Sequence, residues 1–235
     1  MSGARRSWLV ALVIVLMGAS FAAGYASHRS PGTTPSTTSP TTSTPPATST
    51  SSGDATWMSL FPEPASATRY ASPTGVAVAF ARHVLKMASP VARAFQQGDT
   101  RSGEVPIQAN ATGPVSTVLV RQLARDDSWW VLGAICGSLQ IATPEAFSTV
   151  ASPLRVSGRS TAFEAVINLA LYQDGSSTPL ATGTAMGGSM GEMGPFATSL
   201  SFSGATSAYG VLVVYTRSAK DGSVLEASAI RVRFS

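Results

Sequence analysis

Between Leu139 and Phe234 the chain repeats one pattern, and that pattern restricts the fold more than any other feature. Short apolar runs recur at Leu139–Thr143, Leu154–Gly158, Phe163–Tyr172, Leu180–Ala185, Phe196–Phe202, Tyr209–Thr216 and Leu225–Phe234. Gly, Ser, Asp and Pro separate them. Runs this short and this regularly spaced are strands rather than helices, and their number predicts a β-sandwich. Alternation fixes faces: Phe163, Ala165, Ile167, Leu169 and Leu171 are expected on one sheet face, and Ile230, Val232 and Phe234 on another. Asp174-Gly175 and Asp221-Gly222 mark turns. Cys136 is the single cysteine, so no disulfide pins two sheets together and burial alone must hold them.

Upstream the chemistry changes twice. Arg5 and Arg6 precede an uncharged apolar stretch from Trp8 to Ala26. A membrane-crossing helix needs about 20 apolar residues, a length this stretch just reaches. The flanking arginines favour a cytoplasmic tail at residues 1–7, a transmembrane helix or signal anchor at 8–26, and an extracytoplasmic remainder. The second reading is a cleaved signal peptide, with small residues at Ser20, Ala22, Gly24 and Ala26 to permit cleavage; the protein is then secreted. Residues 27–54 follow, and Ser30 to Gly53 is nearly all Ser, Thr and Pro. Such a stretch has no side chains with which to build a core, so it reads as a disordered linker and spacer.

A small α+β region is expected over residues 55–137. Ser72 and Pro73 suit the cap and first position of a helix. Val76, Phe80, Val84 and Met87 then form one apolar stripe, which predicts a helix ending near Ser89-Pro90. Gly103–Ala111, Thr117–Leu123 and Trp129–Ile135 read as strands, the last two joined as a hairpin through Ala124–Ser128. A helix followed by three antiparallel strands loosely resembles the cystatin-like folds.

Residues 138–235 carry a more specific resemblance. Ser152-Pro153-Leu154-Arg155-Val156-Ser157-Gly158-Arg159, followed by Phe163-Glu164-Ala165, is one part of it. Gly187-Gly188, Gly194-Pro195-Phe196 and the closing Ala227-Ser228-Ala229-Ile230-Arg231-Val232-Arg233-Phe234 complete it. Together they resemble the immunoglobulin-like domain of bacterial spore germination, a family often found with the GerMN domain in exported proteins. The resemblance implies an extracytoplasmic, non-enzymatic module of the bacterial cell envelope, and it assigns no catalytic residue. The 55–137 region does not look like a GerMN domain, so a general envelope role fits better than germination itself.

Other chemistries find little footing. From Ala55 onward thirteen Lys and Arg face eleven Asp and Glu, a net +2 against +4 for the whole chain. The basic residues are scattered, which argues against nucleic acid. His83 is the one histidine after the juxtamembrane His28, no Gly-x-Ser-x-Gly elbow occurs, and no His/carboxylate cluster suits zinc. Hence no enzyme, no cofactor and no metal are expected. Met186, Met190 and Met193 stand in a Gly-rich loop, but with no His or Cys beside them a copper site is incomplete. Asp126 and Asp127 read as turn residues, His83 as an ordinary helix residue, and Cys136 as a buried inert thiol. Trp129 and Trp130 point to opposite faces of one strand, so one belongs to the core and the other is a candidate contact for a ligand or partner.

The expected function is therefore a membrane-anchored, non-enzymatic binding or assembly module, with a cell-wall polymer or an envelope protein as partner. The alternative is a small-ligand receptor with a pocket in the cystatin-like region, beside Trp129 or Trp130.

Overall fold

Ser72 starts the helix as its sequence suggests. Its backbone is extended (φ −132°, ψ 145°), and its hydroxyl accepts the Gly75 N–H at 3.1 Å, satisfying a free donor of the first turn. The helix, α1, runs Pro73–His83, with Val76, Ala77, Phe80 and Ala81 buried along one stripe. It stops short of the expected Ser89 because Lys86 turns left-handed (φ 61°) and the Met87 N–H returns to the Ala81 carbonyl at 2.9 Å. Leu85 and Met87 still enter the core, reached by this reversal rather than by another turn of helix.

The computed structural model describes residues 55–235. The expected cytoplasmic tail (1–7), membrane segment (8–26) and linker (27–54) lie outside the described residues. No helix among the described residues is long and apolar enough to cross a membrane. The fold is a mostly antiparallel β structure with one α-helix, consistent with an immunoglobulin-like sandwich in its C-terminal part. After a 3-10 turn at Ala55–Met58 and α1, the first strands are β1 (Val91–Ala92), β2 (Gln96–Gln97), β3 (Ser102–Gln108), β4 (Val115–Gln122), β5 (Trp129–Cys136) and β6 (Leu139–Thr143). Next come β7 (Thr149–Val150), β8 (Leu154–Ala162), a 3-10 turn at Phe163–Ala165, and β9 (Val166–Gln173). The chain closes with β10 (Ala181–Met186), β11 (Gly188–Ser189), β12 (Gly194–Leu200), β13 (Tyr209–Arg217) and β14 (Val224–Phe234).

One long sheet follows the order β1-β3-β4-β5-β14-β13-β9-β10. A smaller sheet, β6-β8-β12, packs against the C-terminal half of it. Alternation along β13 explains the layering. Val211 and Val213 point to one side, where α1 packs with Val105, Val118 and Val131; Leu212 and Val214 point to the other, against Leu154, Val156, Phe196 and Leu200. Both faces of β13 are buried, which is why its sequence is a continuous apolar run rather than an alternating one.

The expected face Phe163–Leu171 holds only from Ile167 onward. Glu164 (φ 59°) and Ala165 (φ 61°) are left-handed, and this kink separates Phe163 from the strand and leaves it 67% exposed. Sequence alternation alone does not register such a break.

The regions 55–137 and 138–235 meet where β5 pairs with β14, through Ala134 and Ala229. Beyond that pair the strands diverge, and buried hydroxyls bridge the gap. Ser228 Oγ accepts the Cys136 N–H at 2.9 Å and donates to the Leu139 carbonyl at 2.6 Å, while Ser116 Oγ accepts the Ala227 N–H at 2.9 Å. A second tie runs through Arg231, which an ion pair within its own region holds in place. Arg231, with no exposed side-chain surface, donates to both carboxylate oxygens of Asp174 at 2.5 and 2.6 Å and to the Trp57 carbonyl at 3.2 Å. Its guanidinium also lies 4.9 Å from the centre of the Tyr209 ring.

Two substitutions test these ties. Ser228→Ala leaves a buried N–H and a buried carbonyl unpaired, and is expected to cost about 2–4 kcal/mol. Asp174→Ala strands a buried guanidinium and is expected to cost about 3–5 kcal/mol. Urea unfolding followed by tryptophan fluorescence reads both; a loss under about 0.5 kcal/mol in either would remove that tie from the account.

Candidate functional site

Four of the eight exposed large apolar side chains among the described residues cluster at the end of β8. Phe163 (67% exposed) and Val166 flank the left-handed pair Glu164–Ala165. Across from them, Met186 ends β10 opposite Val166, and the Gly187 N–H donates to the Ala165 carbonyl at 2.9 Å. Gly188–Ser189 then run parallel to Thr161–Ala162, and the chain turns at Met190 (φ 55°, 85% exposed) and Gly191 (φ 86°). Arg159 holds the returning leg by donating to the Met193 carbonyl at 2.7 Å. The paired glycines are required by space: a Cβ on Gly187 would lie 1.9 Å from Ser160 Oγ, and one on Gly188 would lie 1.9 Å from the Glu192 carbonyl oxygen. The loop is thus pinned on both sides, and Met186 and Met190 are carried outward.

Beneath this rim is an open depression of about 360 Å³ between Pro114, Ser138, Thr161, Ala162, Phe163 and Met190, with Glu226 in its wall. Glu226 belongs to β14 and is only 5% exposed. Cys136 Sγ donates to Glu226 Oε2 at 2.9 Å, Ser138 Oγ donates to the same oxygen, and Thr216 Oγ1 donates to Oε1 at 3.1 Å. All three donors are neutral. Among the described residues, no Lys, Arg or His pairs with this carboxylate. Its placement follows from plain alternation along β14: Glu226 pairs with Thr216 and shares the sandwich face with Ile230 and Val232, while Ala227 and Ala229 face α1. The register shift between Thr216 and Arg217 skips Leu225 and brings Val224 to the α1 side.

The tryptophans lie at the other end of β5. Trp130 is fully buried, donates from Nε1 to Ser128 Oγ at 3.0 Å, and is capped by the Arg69 guanidinium 5.0 Å from its ring centre. Trp129 is half-buried, edge-on to Phe95 at 5.5 Å. The sheet face beside them, which the receptor reading assigns to a pocket, is covered by α1: Val76, Ala77 and Phe80 pack there with Val105, Val118 and Val131. Asp126 and Asp127 sit in the turn, paired with Arg69 and Arg101, and the Ser128 hydroxyl holds the Asp126 carboxyl below its usual range. His83 stacks on Phe61 at 6.0 Å. Among the described residues, no group of three or more His, Cys, Asp or Glu is placed to hold a metal ion.

The sequence reading did not single out Glu226 or Phe163. A usable signal for the first was present, an acid inside the apolar run Val224–Phe234; Phe163 was assigned to a core strand because the kink leaves no mark in the alternation.

Burial, and after it the neighbouring Glu226, pushes the Cys136 thiol up to about 12. The folded value lies above the unfolded one, so the thiol's contribution to stability is complete below pH 9.0 and is lost as the pH climbs toward about 12. At pH 8 native Cys136 should react with iodoacetamide about a hundredfold or more slower than in urea. Comparable rates would show that the thiol is neither shielded nor held protonated.

No curated protein and no solved structure matches the chain. A family model does, over less than half of its length and over the stretch that carries the exposed rim. Residues 138–223 match the immunoglobulin-like domain of bacterial spore germination.

Proposed function

We propose that this protein is a non-enzymatic binding or assembly module of the cell envelope. In this reading a single membrane helix at residues 8–26 anchors it, residues 27–54 space it from the bilayer, and the folded part works outside the cell. The partner is an envelope protein or a cell-wall polymer, met through the C-terminal sandwich. One observation carries the reading: within the stretch matched by a spore-germination immunoglobulin-like family, Phe163, Val166, Met186 and Met190 stand exposed on a pinned, partly left-handed rim. Leaving such side chains in water forfeits about 1.5–3 kcal/mol for each large one, and their grouping is characteristic of an interaction surface. Non-glycine residues held left-handed cost further free energy, and such strain concentrates at functional sites. The Arg-flanked apolar segment and the Ser/Thr/Pro spacer support export and tethering.

Deleting residues 139–235 is a poor test, because β13 and β14 also wall the core beneath α1. A photo-crosslinking amino acid in place of Met186 of the full chain, in living cells, reads the rim directly. Adducts to an envelope protein or to cell-wall polymer are expected, with yield reduced about tenfold by Phe163→Lys, since a charge cannot be buried unpaired at an interface. A chain that forms no adduct and is not retained on purified cell wall would sink the reading.

A further inference from the structure

We infer that the depression beneath this rim receives a basic side chain, Lys or Arg, from the partner protein, with Glu226 as its counter-charge. The inference rests on the module reading and names the chemistry of the partner at that surface.

A carboxylate taken out of water is costly, and proteins compensate buried charges with an opposite charge or a metal. Glu226 is 5% exposed, and its recorded partners are a thiol and two hydroxyls. Hydrogen bonds from neutral donors orient a carboxylate but bring no positive charge. The carboxylate lines the open depression between Phe163, Met190, Pro114 and Ser138. The wall itself contains no cation: Glu226 is the single charged residue lining it. Charge complementarity therefore selects a cationic occupant, and the apolar rim selects the kind. A Lys or Arg side chain carries three or four methylene groups behind its charged head, so it lays apolar surface against Phe163 and Met190 while its head reaches the carboxylate. A hydrated divalent ion fits less well, since calcium asks for six to eight oxygen ligands and one carboxylate with a few hydroxyls falls short.

Strain and rigidity add to the case. The rim residues Glu164, Ala165 and Met190 are all left-handed without being glycine, and the loop is clamped by the Gly187–Ala165 and Arg159–Met193 hydrogen bonds. A rim held in place before binding loses little freedom when the occupant enters. The floor is equally fixed, because Cys136, Ser138 and Thr216 leave the carboxylate no freedom to swing into solvent.

The test uses the full chain labelled with 13C-methyl methionine, titrated with the amide-blocked single residues of arginine, lysine and norleucine. The norleucine derivative has the lysine stem without its charge. The Met190 methyl resonance, assigned with Met190→Leu, is expected to shift saturably with the arginine and lysine derivatives. Met87, buried beside α1, should not move. Binding should weaken at least about tenfold in Glu226→Gln, which removes the counter-charge, and also in Phe163→Ser, an exposed position where the fold is not at risk. Equal response to norleucine overturns the inference, as does undiminished binding in Glu226→Gln. A Met190 shift produced by calcium chloride alone at micromolar concentration overturns it too, in favour of an inorganic cation. If Glu226→Gln unfolds the chain, the arginine-to-norleucine ratio in the wild type and in Phe163→Ser still decides. Cellular crosslinking that persists while cation selectivity is absent removes this inference and leaves the module reading intact; absence of crosslinking removes the reading itself.

Discussion

Every layer of this protein leans on β13 and β14, a strand pair buried on both faces. Val211, Val213, Ala227 and Ala229 supply one wall of the core under α1, and Leu212, Val214, Val232 and Phe234 supply one wall of the sandwich. Each buried Val or Leu contributes about 1.5–3 kcal/mol, and here a single hairpin contributes on two sides at once. The two cores are therefore not independent in energy: losing the hairpin from either side exposes the other. The absence of any disulfide is accommodated by this arrangement, since the shared strands do the cross-linking that a cystine performs between sheets elsewhere.

Sharing a wall has a geometric cost, paid at the β5–β14 seam. The long sheet must turn from the curvature that holds α1 to the curvature that faces β6, β8 and β12, and backbone pairing shrinks there to Ala134 and Ala229. Buried backbone groups left over at such a divergence would each cost about 1–3 kcal/mol. Ser116 and Ser228 take them up with hydroxyls small enough to fit between the strands. Arg231 performs a similar service at the other end of β14, joining the strand to the Asp174 turn and to Trp57 near the start of the described chain. Polar residues in apolar runs are thus the joints of this fold rather than interruptions of it.

That pattern also explains what could be read from sequence. Strand runs such as Leu139–Thr143 and Tyr209–Thr216 were legible because alternation or continuous apolarity is a local property, and Ser72-Pro73 announced α1 because capping is local too. The early end of α1 was not legible: Val84 and Met87 keep helical spacing, yet a left-handed Lys86 carries the chain into the core by another path. Nor was the partnership of β14 with the first region, since pairing across about a hundred residues leaves no periodicity behind. Trp129 and Trp130 drew attention as large residues on a strand, but Arg69 and Phe95 come from distant segments to cover them. The candidate site was half legible. The Gly-rich methionine loop stood out in the sequence, while Glu226 gained its meaning only when folding gathered Cys136, Ser138 and Thr216 around it.

The first residues of β14 link stability to function. Ala227 and Ala229 face the core beneath α1, so Glu226 faces the other way, toward Cys136, Ser138 and Thr216 and into the wall of the depression. The register shift at Leu225 returns Val224 to the core beneath α1, so that core keeps an apolar side chain where β14 begins. An apolar residue at the same position would avoid the desolvation cost and pack as well against Cys136. A buried acid retained there, under the most exposed methionine and phenylalanine side chains of the described chain, is accounted for by what it attracts rather than by what it stabilises.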